Sequence, residues 1–96
     1  MNSSITINLN NDEQEQLTVD GKVLFALIDR IAKAETKHPD FADGIYQGVG
    51  VIGEEYGELC QALNKNQGED RVMDEALDLL CVVWRFCRGD WRQKKC

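Results

Sequence analysis

Glu54, Glu55 and Glu58 in GEEYGEL, and Glu75 and Asp78 in DEALDLL, are five carboxylates at two short spacings inside otherwise apolar stretches. Acids are costly along helices that must also pack, and a divalent cation is the most economical reason to gather several of them. At about 100° per residue, Glu55 and Glu58 differ by about 60° in azimuth, as do Glu75 and Asp78. Each pair therefore projects from one side of its helix, a turn apart. Four such groups without a cation repel one another and acquire raised pKa values, whereas Mg²⁺ takes hard oxygen ligands and leaves positions for water and phosphate. Taken alone, Glu54, Glu55 and Glu58 read first as a solvated helix face, since surface helices are rich in Glu. Asp78 is different: Leu77, Leu79, Leu80, Val82 and Val83 give it little polar company, so a partner or an ion is expected.

Three helices must position these groups. The first is expected from about Asp20 to Thr36, with Asp20 as its cap and Leu24, Leu27, Ile28 and Ile31 at helical spacing. HPDFADG then breaks the pattern through Pro39, Asp40, Asp43 and Gly44. A second helix is expected from about Gly44 to Asn64, with Ile45, Val49, Ile52, Tyr56, Leu59 and Leu63 as a seam of coiled-coil type. NKNQGED reads as a loop, and a third helix is expected from about Arg71 to Arg88, apolar nearly all round and hence central. A loop this short makes the second and third helices an antiparallel hairpin, in which the two acidic pairs converge.

The fold class expected is therefore all-α: an antiparallel hairpin with a lead-in helix, forming a four-helix-bundle-type core completed by oligomerisation. Residues 1–18 form a polar N-terminal arm, extended or disordered, in which Ile5, Ile7 and Leu9 alternate briefly and NNDEQEQ reads as solvated chain. Residues 19–96 form the helical domain. At 96 residues the buried surface is modest, so association is a natural way to enlarge the core.

A formal charge of −6 argues against nucleic-acid polymers, which need a basic patch, but leaves a nucleotide ligand open because a bound cation reverses the local field. MNSSITINLN does not resemble a signal peptide, and no apolar run approaches a membrane span. Cys60, Cys81, Cys87 and Cys96 show no CxxC spacing and are expected as free thiols in a reducing cytoplasm. No ExxH pair supports a ferritin-like di-iron site, and no GxxxxGK[ST] phosphate loop is present.

EExxE followed on the next helix by ExxD, as GEEYGEL…DEALDLL, resembles the all-α nucleoside triphosphate pyrophosphohydrolases of the MazG-like group, over roughly residues 20–88. The resemblance implies Mg²⁺-dependent cleavage between the α and β phosphates of an NTP or dNTP, giving the monophosphate and pyrophosphate, and it implies homodimers or homotetramers. Carried over by position, Glu55, Glu58, Glu75 and Asp78 would ligate Mg²⁺. Glu54 would be a further ligand or would orient or deprotonate the attacking water. Arg85, seven residues after Asp78 on nearly the same azimuth, meets a phosphate or pairs with an acid. Arg71, His38, Phe41 and Tyr46 are weaker candidates for phosphate or base contact; Tyr56, Trp84 and Phe86 read first as core. The competing class is a non-catalytic, dimeric helical module that binds a partner through the same scaffold.

Overall fold

A computed structural model describes residues 4–10 and 12–92; the expectations for residues 1–3, Asn11 and Cys96 lie outside them. The chain runs β1 (Ser4–Leu9), β2 (Asp12–Asp20), α1 (Gly21–Lys37), α2 (Ile45–Asn64) and α3 (Glu69–Arg88). It is mostly helical, with a small two-stranded sheet.

That sheet is an addition to the expected helical architecture, which is otherwise met by three helices. β1 and β2 pair antiparallel, with Ile5 opposite Val19 and Ile7 opposite Leu17, and the register shifts between Asn8 and Leu9. The Ile5/Ile7/Leu9 alternation had its complement in Leu17 and Val19 beyond a polar stretch, and such cross-strand apolar pairs are what stabilise a hairpin. NNDEQEQ, read as solvated chain, holds the turn and the start of β2. Asn10 supplies the turn with φ +56, a conformation that Asn tolerates better than most residues.

β2 passes directly into α1 through the expected cap. The Asp20 carboxylate accepts hydrogen bonds from the Lys22 and Val23 backbone N–H groups at 2.9 and 3.1 Å, satisfying two of the helix's free donors. α1 ends at the residue before the HPDF turn, where the His38 N–H donates to the Ala34 carbonyl. α3 ends at Gly89, whose φ of +87 is the left-handed cap that glycine takes without a Cβ penalty.

α3 lies between α2 and α1 and packs on both. Gly48 of α2 permits the closest approach: a Cβ there would sit 3.0 Å from the Phe86 ring of α3. The segment after α3 fastens the hairpin at the same end. The Gly44 N–H donates to the Trp91 carbonyl at 2.8 Å, and the Trp91 indole donates to the Phe86 carbonyl at 3.0 Å.

The interior is small. Among the described residues only Ala62 and Cys81 are apolar and buried, at 1% and 3% exposure. Much of the expected α2 seam is open to solvent: Ile45, Val49, Tyr56 and Leu63 are exposed, as are Met73, Leu80 and Trp84 of α3. Among the described residues no helix is long and apolar enough to cross a membrane. Cys60, Cys81 and Cys87 are free thiols.

Candidate metal and phosphate cleft

Both acidic segments sit on the α2–α3 hairpin, and antiparallel pairing brings them level. Glu55 of α2 and Glu75 and Asp78 of α3 each place one carboxylate oxygen within 4.8 Å of the others. Adjacent ligands of an octahedral Mg²⁺ lie about 3 Å apart and opposite ones about 4.2 Å, so the trio must close onto the ion to hold it. Glu75 is only 3% exposed. Its Oε2 and the Oε2 of Glu55 are buried without a hydrogen-bond partner. Buried carboxylate oxygens without partners, inside a cluster of acids, are the arrangement that a hard cation relieves.

The electrostatics carry the same signature. Burial pushes the Glu55 carboxyl up to about 7, and the charges of Glu58, Asp78 and Glu75 push in the same direction. Glu75 is also raised, first by burial and further by Glu58 and Asp78, against the opposing charge of Arg71. Arg71 is the ion-pair partner of Glu75 one turn before it and reaches Asp74 at 3.4 Å. Glu58 is exposed and stands outside the close trio, near enough to perturb Glu55 and Glu75. Glu54 is exposed at the edge of the adjoining cleft.

That cleft, of about 570 Å³, is floored by Asp78, Cys81, Val82 and Arg85 of α3. One wall is acidic, from Glu54 and Glu55 of α2; the other is basic, from Arg30, Lys33 and Lys37 of α1, with His38 and Phe41 at the turn. Lys33 pairs along its own helix with Asp29 at 2.8 Å. Lys37 has no ion-pair partner among the described residues. Compared with family models, with curated proteins and with solved structures, the chain matches none. The chemistry of this cleft therefore rests on its own residues.

Arg30 is the participant that the sequence concealed. It donates to the Asp78 carboxylate, to Asp74 Oδ1 at 2.5 Å and to the Asp74 carbonyl at 3.2 Å. Asp78 thus finds polar company on α1 rather than along its own helix. An arginine on a 17-residue amphipathic helix looks like surface, and nothing in its spacing from Asp78 announced the contact. Asp74 was likewise passed over, although DEALD places it one turn before Asp78.

Arg85 is 4% exposed and engaged at the turn. Its Nε donates to Asp90 at 3.3 Å, its Nη2 donates to the Pro39 carbonyl at 3.3 Å, and its guanidinium lies 5.3 Å from the Phe41 ring centroid. Arg88 pairs with Glu35 and with the same Asp90, whose carboxyl is held below the usual range by Arg88 and then Arg85. Phe41 faces the cleft beneath Arg85, whereas Tyr46, Tyr56 and Trp84 are exposed. Phe86 of α3 packs between Gly48 of α2 and Trp91, with the Phe86 and Trp91 ring centroids 6.1 Å apart.

Proposed function

We propose that the chain is a Mg²⁺-dependent nucleoside triphosphate pyrophosphohydrolase, converting an NTP or dNTP to its monophosphate and pyrophosphate and so removing unwanted nucleotides. The observation that carries this reading is the convergence of Glu55, Glu75 and Asp78 from two helices, with two buried carboxylate oxygens lacking partners. The MazG-like arrangement of EExxE and ExxD motifs supplies the reaction type.

In this reading Glu55, Glu58, Glu75 and Asp78 would hold Mg²⁺, with Glu58 at the exposed edge of the cluster. The bound ion supplies positive charge against the phosphate oxygens. The basic wall faces the far end of the triphosphate: Arg30, Lys33 and Lys37 offset the charge that accumulates on the pyrophosphate leaving group. Glu54 orients the attacking water and accepts its proton as the oxygen bonds to the α phosphorus. The bond from that phosphorus to the α–β bridging oxygen breaks, and its electrons leave with pyrophosphate. Cys81, Val82 and Phe41 give the cleft an apolar lining that limits competing water.

The test is a panel of NTPs and dNTPs with Mg²⁺, reading pyrophosphate and orthophosphate separately. Pyrophosphate release, abolished in Glu55→Gln and Asp78→Asn, is the expected result. Unchanged turnover in both variants sinks the ligand assignment, and orthophosphate as first product sinks α–β cleavage.

A specific observation favours the second reading, a non-catalytic helical module. Arg30 already brings a positive charge to Asp78 and Asp74, so part of the cluster is balanced without an ion. That reading expects no hydrolysis of any nucleotide, and acid-to-amide changes in the cluster that leave folding intact or improve it.

A further inference from the structure

Arg71, Asp74, Glu75 and Asp78 recur at three- and four-residue spacing, which sets all four on one face of α3. Arg30 reaches that face from α1. The five side chains form a line of alternating charge. Arg30 lies between Asp78 and Asp74, and Arg71 lies between Asp74 and Glu75. Asp74 stands at the centre with a separate oxygen for each guanidinium: Oδ1 accepts from Arg30 at 2.5 Å and Oδ2 from Arg71 at 3.4 Å. Its backbone carbonyl also accepts from Arg30, at 3.2 Å.

The two ends of the line belong to the close acidic trio, and the middle does not. Once Glu75 and Asp78 share their charge with an ion, they hold the arginines less firmly. Asp74 keeps its whole charge for them. Glu75 Oε1 pairs with Arg71 while its Oε2 is buried without a partner, so an ion and a guanidinium have different oxygens of one carboxylate. With Glu55 ionised, the trio and Asp74 exceed the two arginines by two charges. One divalent cation balances that excess with neither arginine expelled. Arg30 also lines the cleft, so a guanidinium still anchored at Asp74 stays beside the space open to phosphate.

We propose that Asp74 is a positioning residue: it retains Arg30 and Arg71 when a divalent cation takes Glu75 and Asp78, and so keeps Arg30 at the cleft for a phosphate group. Asp74 itself touches neither ion nor substrate. Without its carboxylate both arginines fall back on Glu75 and Asp78 and compete with the ion. The inference rests on the metal reading above and adds to it the group that makes room for the metal.

Calorimetric titration of the full chain with Mg²⁺, in the absence of nucleotide, tests it. Asp74→Asn should weaken Mg²⁺ binding about 10-fold, the scale of an outer-shell change, and Asp74→Glu should recover most of the loss. In an Arg30→Gln, Arg71→Gln background the same Asp74→Asn change should cost less than about twofold, because no guanidinium is left to retain. Asp70→Asn removes an equal charge from an exposed position one turn earlier and should shift the affinity less than about twofold. At saturating Mg²⁺, inorganic pyrophosphate should bind about 10-fold more weakly to Asp74→Asn than to the wild type. Where Asp74→Asn loses its helical circular dichroism, the wild type carries the test by NMR. The guanidinium N–H resonances of Arg30 and Arg71 should stay protected from solvent exchange as Mg²⁺ saturates.

Wild-type Mg²⁺ or pyrophosphate affinity in Asp74→Asn overturns the proposal and leaves the metal reading standing. So does an equal loss with and without the arginines, an equal loss in Asp70→Asn, or guanidinium protection that vanishes with Mg²⁺. A wild type that binds no Mg²⁺ overturns both. The expected Asp74 effects without hydrolysis of any nucleotide uphold the positioning role and remove the enzyme alone.

Discussion

Arg30 and Asp78 lie on helices that are not consecutive, yet their side chains form an ion pair at the floor of the cleft. The same guanidinium bridges Asp74, so one cation from α1 engages two acids of α3. A bound metal would compete with Arg30 for Asp78 and release the guanidinium toward the cleft.

Arg30→Ala should therefore cost about 1 kcal/mol of stability without Mg²⁺, since the pair is partly exposed and screened. The same substitution should strengthen Mg²⁺ binding, because Asp78 loses its competing cation. Urea unfolding with and without millimolar Mg²⁺ reads both effects. Equal losses under both conditions would mean that Arg30 and the ion do not share Asp78.

Glu75→Gln keeps the shape of the most buried acid and removes its charge. Without metal, stability should hold or rise, because a carboxylate with an unpartnered oxygen has left a crowded acidic site. Mg²⁺ affinity should fall at least about 10-fold, the scale on which even outer-shell changes act. Titration calorimetry alongside thermal melts separates the outcomes, and undiminished affinity would remove Glu75 from the ligand set.

The raised Glu55 pKa gives the pH dependence its sign. Its folded value of about 7 stands above the ordinary carboxylate value of 4.5, so the native state holds a proton that the unfolded chain has shed. Between those values stability without metal should fall as pH rises, and the full penalty is present above pH 7. Mg²⁺ binding should release protons and tighten over the same window. Glu55→Gln should flatten the stability profile there, which pH-dependent melts in a chelator would register.

Arg85→Ala should destabilise the fold by about 1–3 kcal/mol, because it leaves the Pro39 carbonyl beside a vacated guanidinium site and leaves Asp90 with Arg88 as its remaining cation. Arg85→Lys should recover little, since one ammonium cannot reproduce the two-sided contact or the stacking on Phe41. Denaturant unfolding checks this. A fully stable Arg85→Ala protein would contradict the structural part given to Arg85 at the HPDF turn.

Local pattern carried a large share of this architecture. Asp20 as a cap, Gly89 as a stop and the apolar spacing of α2 are effects within one helical turn, and each helix boundary fell within about two residues of its expected place. The acids of α2 and α3 converge because a short loop forces neighbouring helices antiparallel, and that too is local. The partnership of β1 with β2 was missed because its two halves are separated by a polar stretch and show themselves only when paired. Arg30, Asp74 and the engagement of Arg85 by Asp90 and Pro39 depend on how α1 and the HPDF turn settle against α3, which no periodicity encodes. The sequence determined which side chains each helix could present and on which face. The tertiary structure decided which of them met, because a guanidinium reaches a carboxylate 48 positions away only after packing has set the two helices side by side.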